Sequence, residues 1–291
     1  MNMFKKVKIF LEMIKIEHTL FALPFAFMGA LVGSMVEKGH LPSWAQIGWV
    51  LVAMIGARSA AMALNRLIDA AIDAKNPRTA NRAIPAGLLK AGEVILFTGV
   101  SFGLLILAAW MLEPLSFYLL PIAVFMLVFY SFTKRFTWLC HVILGFTIAL
   151  APLGGWVAVT NVIDWPAMIF FITVACWTTG FDVVYACQDY EFDKKEGLHS
   201  IPVRFGIPGA LKIARGFHIV TMLGFVLLIW LTNLSWIYIL GVVIACGLLI
   251  YEHLIVKPND LTRLNTAFFT MNGTLSMVVF FFTLFDMVVL G

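Results

Sequence analysis

Asn65, Asp69 and Asp73 stand four residues apart in the stretch Asn65-Arg66-Leu67-Ile68-Asp69-Ala70-Ala71-Ile72-Asp73. At 100° per residue they span about 80° of one helix face, so an amide and two carboxylates point the same way on successive turns. Asn76-Pro77 follows, and the residue before a proline is biased out of the helical region, which ends the helix near there. A second group, Asp182, Tyr185, Asp189 and Asp193, repeats the pattern. Asp189 and Asp193 are again i, i+4, and Asp182 falls within about 20° of the face of Asp189.

Carboxylates gathered in this way need cations. Basic side chains are one source: Lys75, Arg78 and Arg82 follow the first group, and Lys194, Lys195, His199 and Arg204 follow the second. Magnesium is another, because it prefers hard oxygen ligands and is commonly held between a few carboxylates and substrate phosphates. The combination suits a magnesium–diphosphate ester, with arginines gripping the free phosphate oxygens. Such a site makes diphosphate a good leaving group by stabilising the charge that develops on it. An allylic diphosphate ionised there leaves a carbocation, which apolar and aromatic walls can hold. The 26 phenylalanines and 9 tryptophans permit such walls, though most must serve packing or lipid contact.

The elements that carry these residues are membrane helices. The 291 residues are 62% hydrophobic and 12% charged, against about 25% charged in an ordinary globular domain. Nucleic acid is therefore not an expected partner; the lipid bilayer is. Crossing a core of about 30 Å takes roughly 20 helical residues, and apolar segments near 18–36, 44–68, 93–112, 115–133, 138–160, 166–187, 215–232, 235–254 and 267–289 are long enough. The reading is an all-α integral membrane protein of nine transmembrane helices, one domain over 1–291, in the cell's inner (plasma) membrane. Of the 20 lysines and arginines, all but Lys38 and Arg58 fall on one side of this arrangement. That bias puts the N-terminus in the cytosol and Gly291 outside. Both acidic groups then lie at cytosolic helix ends, each leading into a charged link, 69–92 or 188–214.

Residues 3–14 place Met3, Phe4, Val7, Phe10, Leu11 and Ile14 at helical spacing, opposite Lys5, Lys6, Lys8, Glu12 and Lys15. Two readings stand side by side: a helix lying on an anionic leaflet, or an amphipathic lead-in packed on the protein itself. The pattern is not that of a cleavable signal. Cys140, Cys176, Cys187 and Cys246 form no CxxC pair and read as small packing residues. His18 and His141 read as polar residues near helix starts. A transporter or proton relay is the other class such acids admit, but transporter sites lie near the midplane on broken helices, whereas these groups fall at helix ends.

At this point the chain resembles the UbiA superfamily of intramembrane aromatic prenyltransferases. The family's NxxxDxxxD signature stands as Asn65…Asp69…Asp73, continuing into Arg78-Thr-Ala-Asn-Arg82-Ala-Ile-Pro85-Ala-Gly87, where Ala83-Ile84 replaces the usual Pro-Leu. The second signature is Asp182-Val-Val-Tyr185-Ala-Cys-Gln-Asp189-Tyr-Glu-Phe-Asp193. A third block, Tyr130-Ser-Phe-Thr-Lys134-Arg135-Phe-Thr137, is similar to the YPxxKRxT of 4-hydroxybenzoate polyprenyltransferases, with Ser131 for proline. The resemblance implies a helical bundle around a central cavity, both aspartate motifs at its cytosolic mouth, and a lateral opening for an isoprenoid tail. It implies Mg²⁺ on the diphosphate and C-prenylation of an aromatic ring, with polyprenyl diphosphate and an aromatic acid as substrates, in quinone biosynthesis. Carried over by position, Asn65, Asp69, Asp73, Asp189 and Asp193 serve the metal and diphosphate as the catalytic set. Arg78, Arg82, Lys75, His199 and Arg204 are the diphosphate contacts; His199 stands where relatives often carry lysine. The wording favours the 4-hydroxybenzoate branch, with a hydroxynaphthoate acceptor on a menaquinone route as the alternative.

For the acceptor, Tyr185 and Asp182 are candidates, together with one of two arginines. Arg58 is the one basic residue assigned within a span, which is costly unless it meets a wet cavity or a partner. Seven residues before Asn65, it lies within about 20° of the same face and roughly 10 Å deeper. It is either a buried pair with a carbonyl or acid, or a clamp for the acceptor carboxylate, since a planar guanidinium grips carboxylates bidentately. Arg135 is the competing clamp.

Overall fold

The structure is a computed structural model that describes residues 3–14 and 19–290. The readings of His18 and Gly291 fall outside those residues. The elements run α1 Met3–Met13, α2 Thr19–Lys38, α3 Trp44–Ile68, α4 Ala70–Asp73, α5 Ala91–Met111, α6 Pro114–Thr133, α7 Cys140–Thr160, α8 Trp165–Ala186, α9 Tyr190–Lys195, α10 Ile201–Thr232, α11 Trp236–Ile255 and α12 Asn272–Val289. Among the described residues, eight helical stretches are long and apolar enough to cross a bilayer, the first being α3 and the last Thr266–Val289. They correspond to the second through ninth segments expected from the sequence. The first, 18–36, coincides with the 20-residue α2.

Helix ends are set by the residues that satisfy orphan backbone groups. Ser43 caps α3, its Oγ accepting from the Gln46 amide at 3.2 Å while Gln46 Oε1 accepts from the Ser43 amide at 2.9 Å. Asp164 caps α8 by accepting from the Ala167 amide at 2.9 Å. Ser200 caps α10 in the same way through Val203, at 3.2 Å, with Pro202 in the first turn. This cap starts α10 well before the expected 215. Polar Arg204 and Lys212 hide this stretch from an apolar-run reading, and a break at Gly206, φ 68°, falls between them. The link 188–214 is therefore mostly helical: a 3₁₀ turn over Cys187–Asp189, then α9, then the start of α10.

Close backbone approach holds the bundle together. A Cβ on Gly155 of α7 would sit 2.0 Å from the Ala26 carbonyl oxygen of α2, and one on Gly29 would sit 2.1 Å from the Pro152 oxygen. Only hydrogen fits at either place, which lets these two helices touch along their backbones. Around that contact Phe25, Trp177 and Phe225 pack fully buried, with the Phe25 and Trp177 ring centroids 4.9 Å apart. α1 packs on the protein: Ile9, Met13 and Ile14 are buried against Met62, Ala63, Leu89 and Val94. Phe10 stacks on Phe97 at 4.8 Å, and Lys6 pairs with Glu93. Of the two readings for this segment, the packed lead-in is the one the structure has, with Val7 and Leu11 left exposed.

Candidate active site

α3 ends at Asp69, whose φ of −89° and ψ of 1° close the helix, and α4 restarts at once to place Asp73 one turn on. The motif therefore lies on two short-coupled helices instead of the single one expected. The backbone bond from the Asp73 amide to the Asp69 carbonyl, 2.8 Å, keeps the turn spacing. In the second motif the 3₁₀ turn does the same, carrying the chain from α8 through Asp189 to Asp193 in α9. The ends of α3, α6 and α8 and the starts of α7 and α10 all meet around one polar chamber of about 250 Å³. Asn65, Asp69, Asp73, Asp182, Tyr185, Asp189, Asp193, Arg78, Arg82 and His199 line it.

Three carboxylates here are turned onto bases. Asp69, 2% exposed, accepts from Asn65 Nδ2 at 3.1 Å, from Lys134 Nζ at 3.0 Å and from Arg135 at 3.3 Å. Asp73, 3% exposed, accepts from one Arg82 nitrogen on both oxygens, each at 2.7 Å. Asp189 accepts from Arg78 Nε at 3.0 Å and its terminal nitrogen at 2.6 Å. Partial burial pulls the Arg78 guanidinium down, but the Asp189 hydrogen bond and charge outweigh it, so its pKa lies above the ordinary arginine value. Asp193 lines the same chamber. Because the carboxylates face their bases, no group of three or more His, Cys, Asp or Glu converges as a ready metal cluster among the described residues.

Two residues expected at the diphosphate stand apart. Lys75 pairs with Glu196 at 2.7 Å on the exposed surface, joining the link after α4 to the one after α9. Arg204 is exposed and lays its guanidinium 5.0 Å over the Trp138 ring, outside the chamber. Arg135 spends a terminal nitrogen on the Ile68 carbonyl, 2.6 Å, capping the C-terminal end of α3.

The structure also brings in residues that the sequence reading passed over. Lys134 and Arg66 stand in the quoted motifs without a site role of their own. Arg66 is in fact inside the last turn of α3, 8% exposed, donating to Asn65 Oδ1 at 3.3 Å and lining the chamber. Arg58 is thus not alone among basic residues within a span. His141 lies within 2.7 Å of Asp182 through its Nδ1. Lys134 and Arg66 sit inside the quoted motifs, which was a usable signal. The partner of His141 is 41 residues away on another helix, and nothing local marks it.

A second chamber, about 410 Å³ and almost wholly apolar, lies between α2, α3, α5, α6 and α7. Ala57, Ala61, Leu105, Leu127 and Phe171 are among its walls, and its rim reaches the exposed Ile122 and Ile163. Arg58 lines it, with its Nε buried and lacking a hydrogen-bond partner among the described residues. Tyr130 and Leu144 line both chambers, so the two are adjacent at that point. On the polar side, Tyr185 stacks on Phe268 at 4.0 Å. Phe268 belongs to a π-helical turn, Thr266–Met271, that leads into α12.

Comparisons with known proteins give the arrangement a context. The profile of the UbiA prenyltransferase family matches residues 26–276. A 4-hydroxybenzoate octaprenyltransferase of Tolumonas auensis is 30% identical over 227 residues, 77% of each chain. One from Aliivibrio fischeri (strain MJ11) is 29% identical over 237 residues, 80% of each chain. The apo structure of a UbiA homolog from Aeropyrum pernix K1 superposes with a TM-score of 0.84 at 27% identity, covering 94% of this chain and 98% of that one. A UbiA homolog from Archaeoglobus fulgidus bound to GPP and Mg²⁺ shares the fold, with a TM-score of 0.74 at 18% identity, covering 97% of this chain and all of that one.

Proposed function

The chain belongs to the UbiA prenyltransferase family, and from that premise we propose that it transfers a polyprenyl group from an allylic polyprenyl diphosphate to a ring carbon of an aromatic acid, releasing diphosphate. The single observation that carries this reading is the adjacency of two unlike chambers, which share Tyr130 and Leu144 as a common wall. One chamber is built for phosphate and metal, the other for hydrocarbon and one carboxylate.

The donor set fits Mg²⁺. Five carboxylates and four lysines or arginines line the polar chamber, so it is close to neutral and has no spare positive charge for a diphosphate. Added anionic charge calls for a cation that takes hard oxygens, and Asn65, Asp69, Asp73, Asp189 and Asp193 are the residues that would hold it. When bound, Mg²⁺ supplies charge stabilisation for the departing diphosphate. Arg78 and Arg82, whose guanidiniums already face the chamber, bind phosphate oxygens; Lys134 and His199 complete the basic wall. Lys75 and Arg204 act at a distance, Lys75 holding the link after α4 and Arg204 the start of α10. The neutral walls of the apolar chamber take the isoprenoid and keep water from the cation formed at its head.

For the acceptor, Arg58 is favoured over Arg135. It lines the apolar chamber and has a buried, unpaired Nε among the described residues, whereas Arg135 is occupied by the Ile68 carbonyl and Asp69. A carboxylate on Arg58 sets the ring across the junction toward Asp182 and Tyr185. A phenolic acid of the 4-hydroxybenzoate type fits this, and the relatives named above carry that substrate in their names. A hydroxynaphthoate acceptor in menaquinone biosynthesis is the second reading. The chain works as one domain of nine crossings in the inner membrane, α2 being the first, with the polar mouth on the cytosolic side. Turnover by the purified protein with a panel of aromatic acids and prenyl diphosphates, with and without magnesium, tests the assignment. Prenylated product formed only with magnesium and a carboxylate-bearing ring supports it; no product from any pair overturns it.

A further inference from the structure

Electrophilic prenylation leaves a proton to be removed, and Asp69, Asp73 and Asp189 are each held by a lysine or arginine. The carboxylates that face bases are occupied, and Asp193 stands with the metal set. One pair in the chamber is different. His141, in the first turn of α7 and 6% exposed, is joined through Nδ1 to Asp182 Oδ2 at 2.7 Å. A carboxylate accepts and does not donate, so Nδ1 carries the hydrogen of that bond. In its neutral form the ring has its lone pair at Nε2, and that nitrogen is buried without a hydrogen-bond partner among the described residues. Both His141 and Asp182 line the polar chamber, and Leu144, one turn along α7 from His141, lines both chambers. His141 therefore stands on the polar side of the junction where the ring and the allylic carbon meet.

We propose that His141 is the catalytic base of the transfer, with Asp182 as the residue that fixes its tautomer and direction. The assignment rests on the prenyltransferase reading above. In the step, the C–O bond of the allylic diphosphate breaks and its electron pair leaves with diphosphate. The ring carbon's π electrons form the new C–C bond to the allylic carbon. The C–H electrons at that ring carbon then restore the aromatic system as His141 Nε2 takes the proton, and Asp182 balances the imidazolium. The positive charge is lost when the proton passes to solvent at the mouth. No further reactant is needed.

The test is single-turnover prenyl transfer by the full-length protein, with magnesium, prenyl diphosphate and an acceptor that the wild type uses. The acceptor is ring-protiated or ring-deuterated: 4-hydroxybenzoate, or the hydroxynaphthoate where the panel selects it. His141→Gln keeps an amide donor for Asp182 but has no basic nitrogen. Loss of a general base costs about 100-fold or more, so H141Q should slow transfer by at least that factor. It should leave the prenyl diphosphate KM unchanged and show a larger ring-deuterium isotope effect than the wild type, because proton loss becomes the slow step. Asp182→Asn should show the same isotope signature with a smaller loss, and added imidazole should restore part of the rate of His141→Ala. A rate loss with an unchanged isotope effect and no imidazole rescue would reduce the pair to a tie between α7 and α8. Full activity in H141Q would equally overturn the assignment. A wild type that prenylates no acceptor in the panel defeats the parent reading, and is told apart by occurring before any substitution is made.

Discussion

Arg78 grips both oxygens of Asp189, from Nε at 3.0 Å and a terminal nitrogen at 2.6 Å, across 111 residues of chain. Asn76 adds a third bond to the same carboxylate at 3.3 Å, and Lys75 reaches Glu196 at 2.7 Å. The link after the first motif is thus fastened to the second motif through its own diphosphate candidates. Bonds to charged groups are worth about 1.5–3 kcal/mol each, roughly 10–100-fold in an equilibrium. Arg78→Lys keeps charge and loses the fork. It should raise the prenyl diphosphate KM by about tenfold or more and leave the acceptor KM nearly unchanged, as initial-rate kinetics over both substrates would show. Lys75→Ala, at an exposed ion pair, should change either KM by less than about threefold.

The carboxylates give the metal prediction. Asp69→Asn and Asp189→Asn each remove a full charge from the set that faces the leaving group. Each should lower the transfer rate by about 100-fold or more, since one electrostatic contact at a developing charge is worth that much. Chelation with EDTA should silence the wild type, and magnesium should restore it. Pyrophosphate release is the measurement; release that is indifferent to EDTA would remove the metal from the mechanism.

Much of this site was legible because its parts are local. The i, i+4 acids, the arginines that follow and the Lys-Arg block are neighbours in sequence, and a helix or turn is enough to bring each set together. What crosses between helices was not. Arg204 read as a phosphate ligand because it follows the second motif, yet the cap at Ser200 starts a helix that turns it onto Trp138. His141 read as an unremarkable polar residue because Asp182 reaches it only through the packing of α7 on α8. The break in α3 at Asp69 escaped notice as well, since Asp69, Ala70 and Ala71 carry no proline or glycine to announce it. The apolar chamber could not be read at all, being the space left between five helices.

That space depends on how closely the helices approach. Gly155 and the Ala26 carbonyl leave no room for a methyl group, a Cβ there lying 2.0 Å from the oxygen. Gly155→Val must push α2 and α7 apart against backbone, and overpacking of this kind costs about 1–3 kcal/mol or more. Thermal unfolding in detergent should show a clear drop in Tm. Gly154→Ala, where nothing lies within 4 Å of the added carbon, should show almost none.

The orientation rests on the distribution of basic residues and can be read by labelling from outside. With Cys140, Cys176, Cys187 and Cys246 replaced, a cysteine placed next to Asp164 should react with an impermeant reagent in intact cells. One placed at Asn81, an exposed position in the link after α4, should react only after the membrane is opened. The reverse pattern would put the polar mouth on the outer side and remove the cytosolic supply of diphosphate.

The acceptor prediction turns on Arg58. A guanidinium buried beside a hydrocarbon chamber is tolerable only with a partner, and its Nε has none among the described residues. A bound carboxylate would supply that partner and, in doing so, fix the ring against the junction at Tyr130 and Leu144. Orientation of this kind is a large share of catalysis between two substrates. Arg58→Lys should therefore raise the acceptor KM by about tenfold or more, the worth of a lost charged bond, and spare the prenyl diphosphate KM. Arg135→Lys should do something different: it uncaps α3 at Ile68 and loosens Asp69, so its effect should fall on the diphosphate side and on stability. If Arg135→Lys raises the acceptor KM and Arg58→Lys does not, the clamp is Arg135. If a phenol without a carboxylate is prenylated as fast as its acid, neither arginine clamps anything and the hydroxybenzoate-type acceptor is excluded with them.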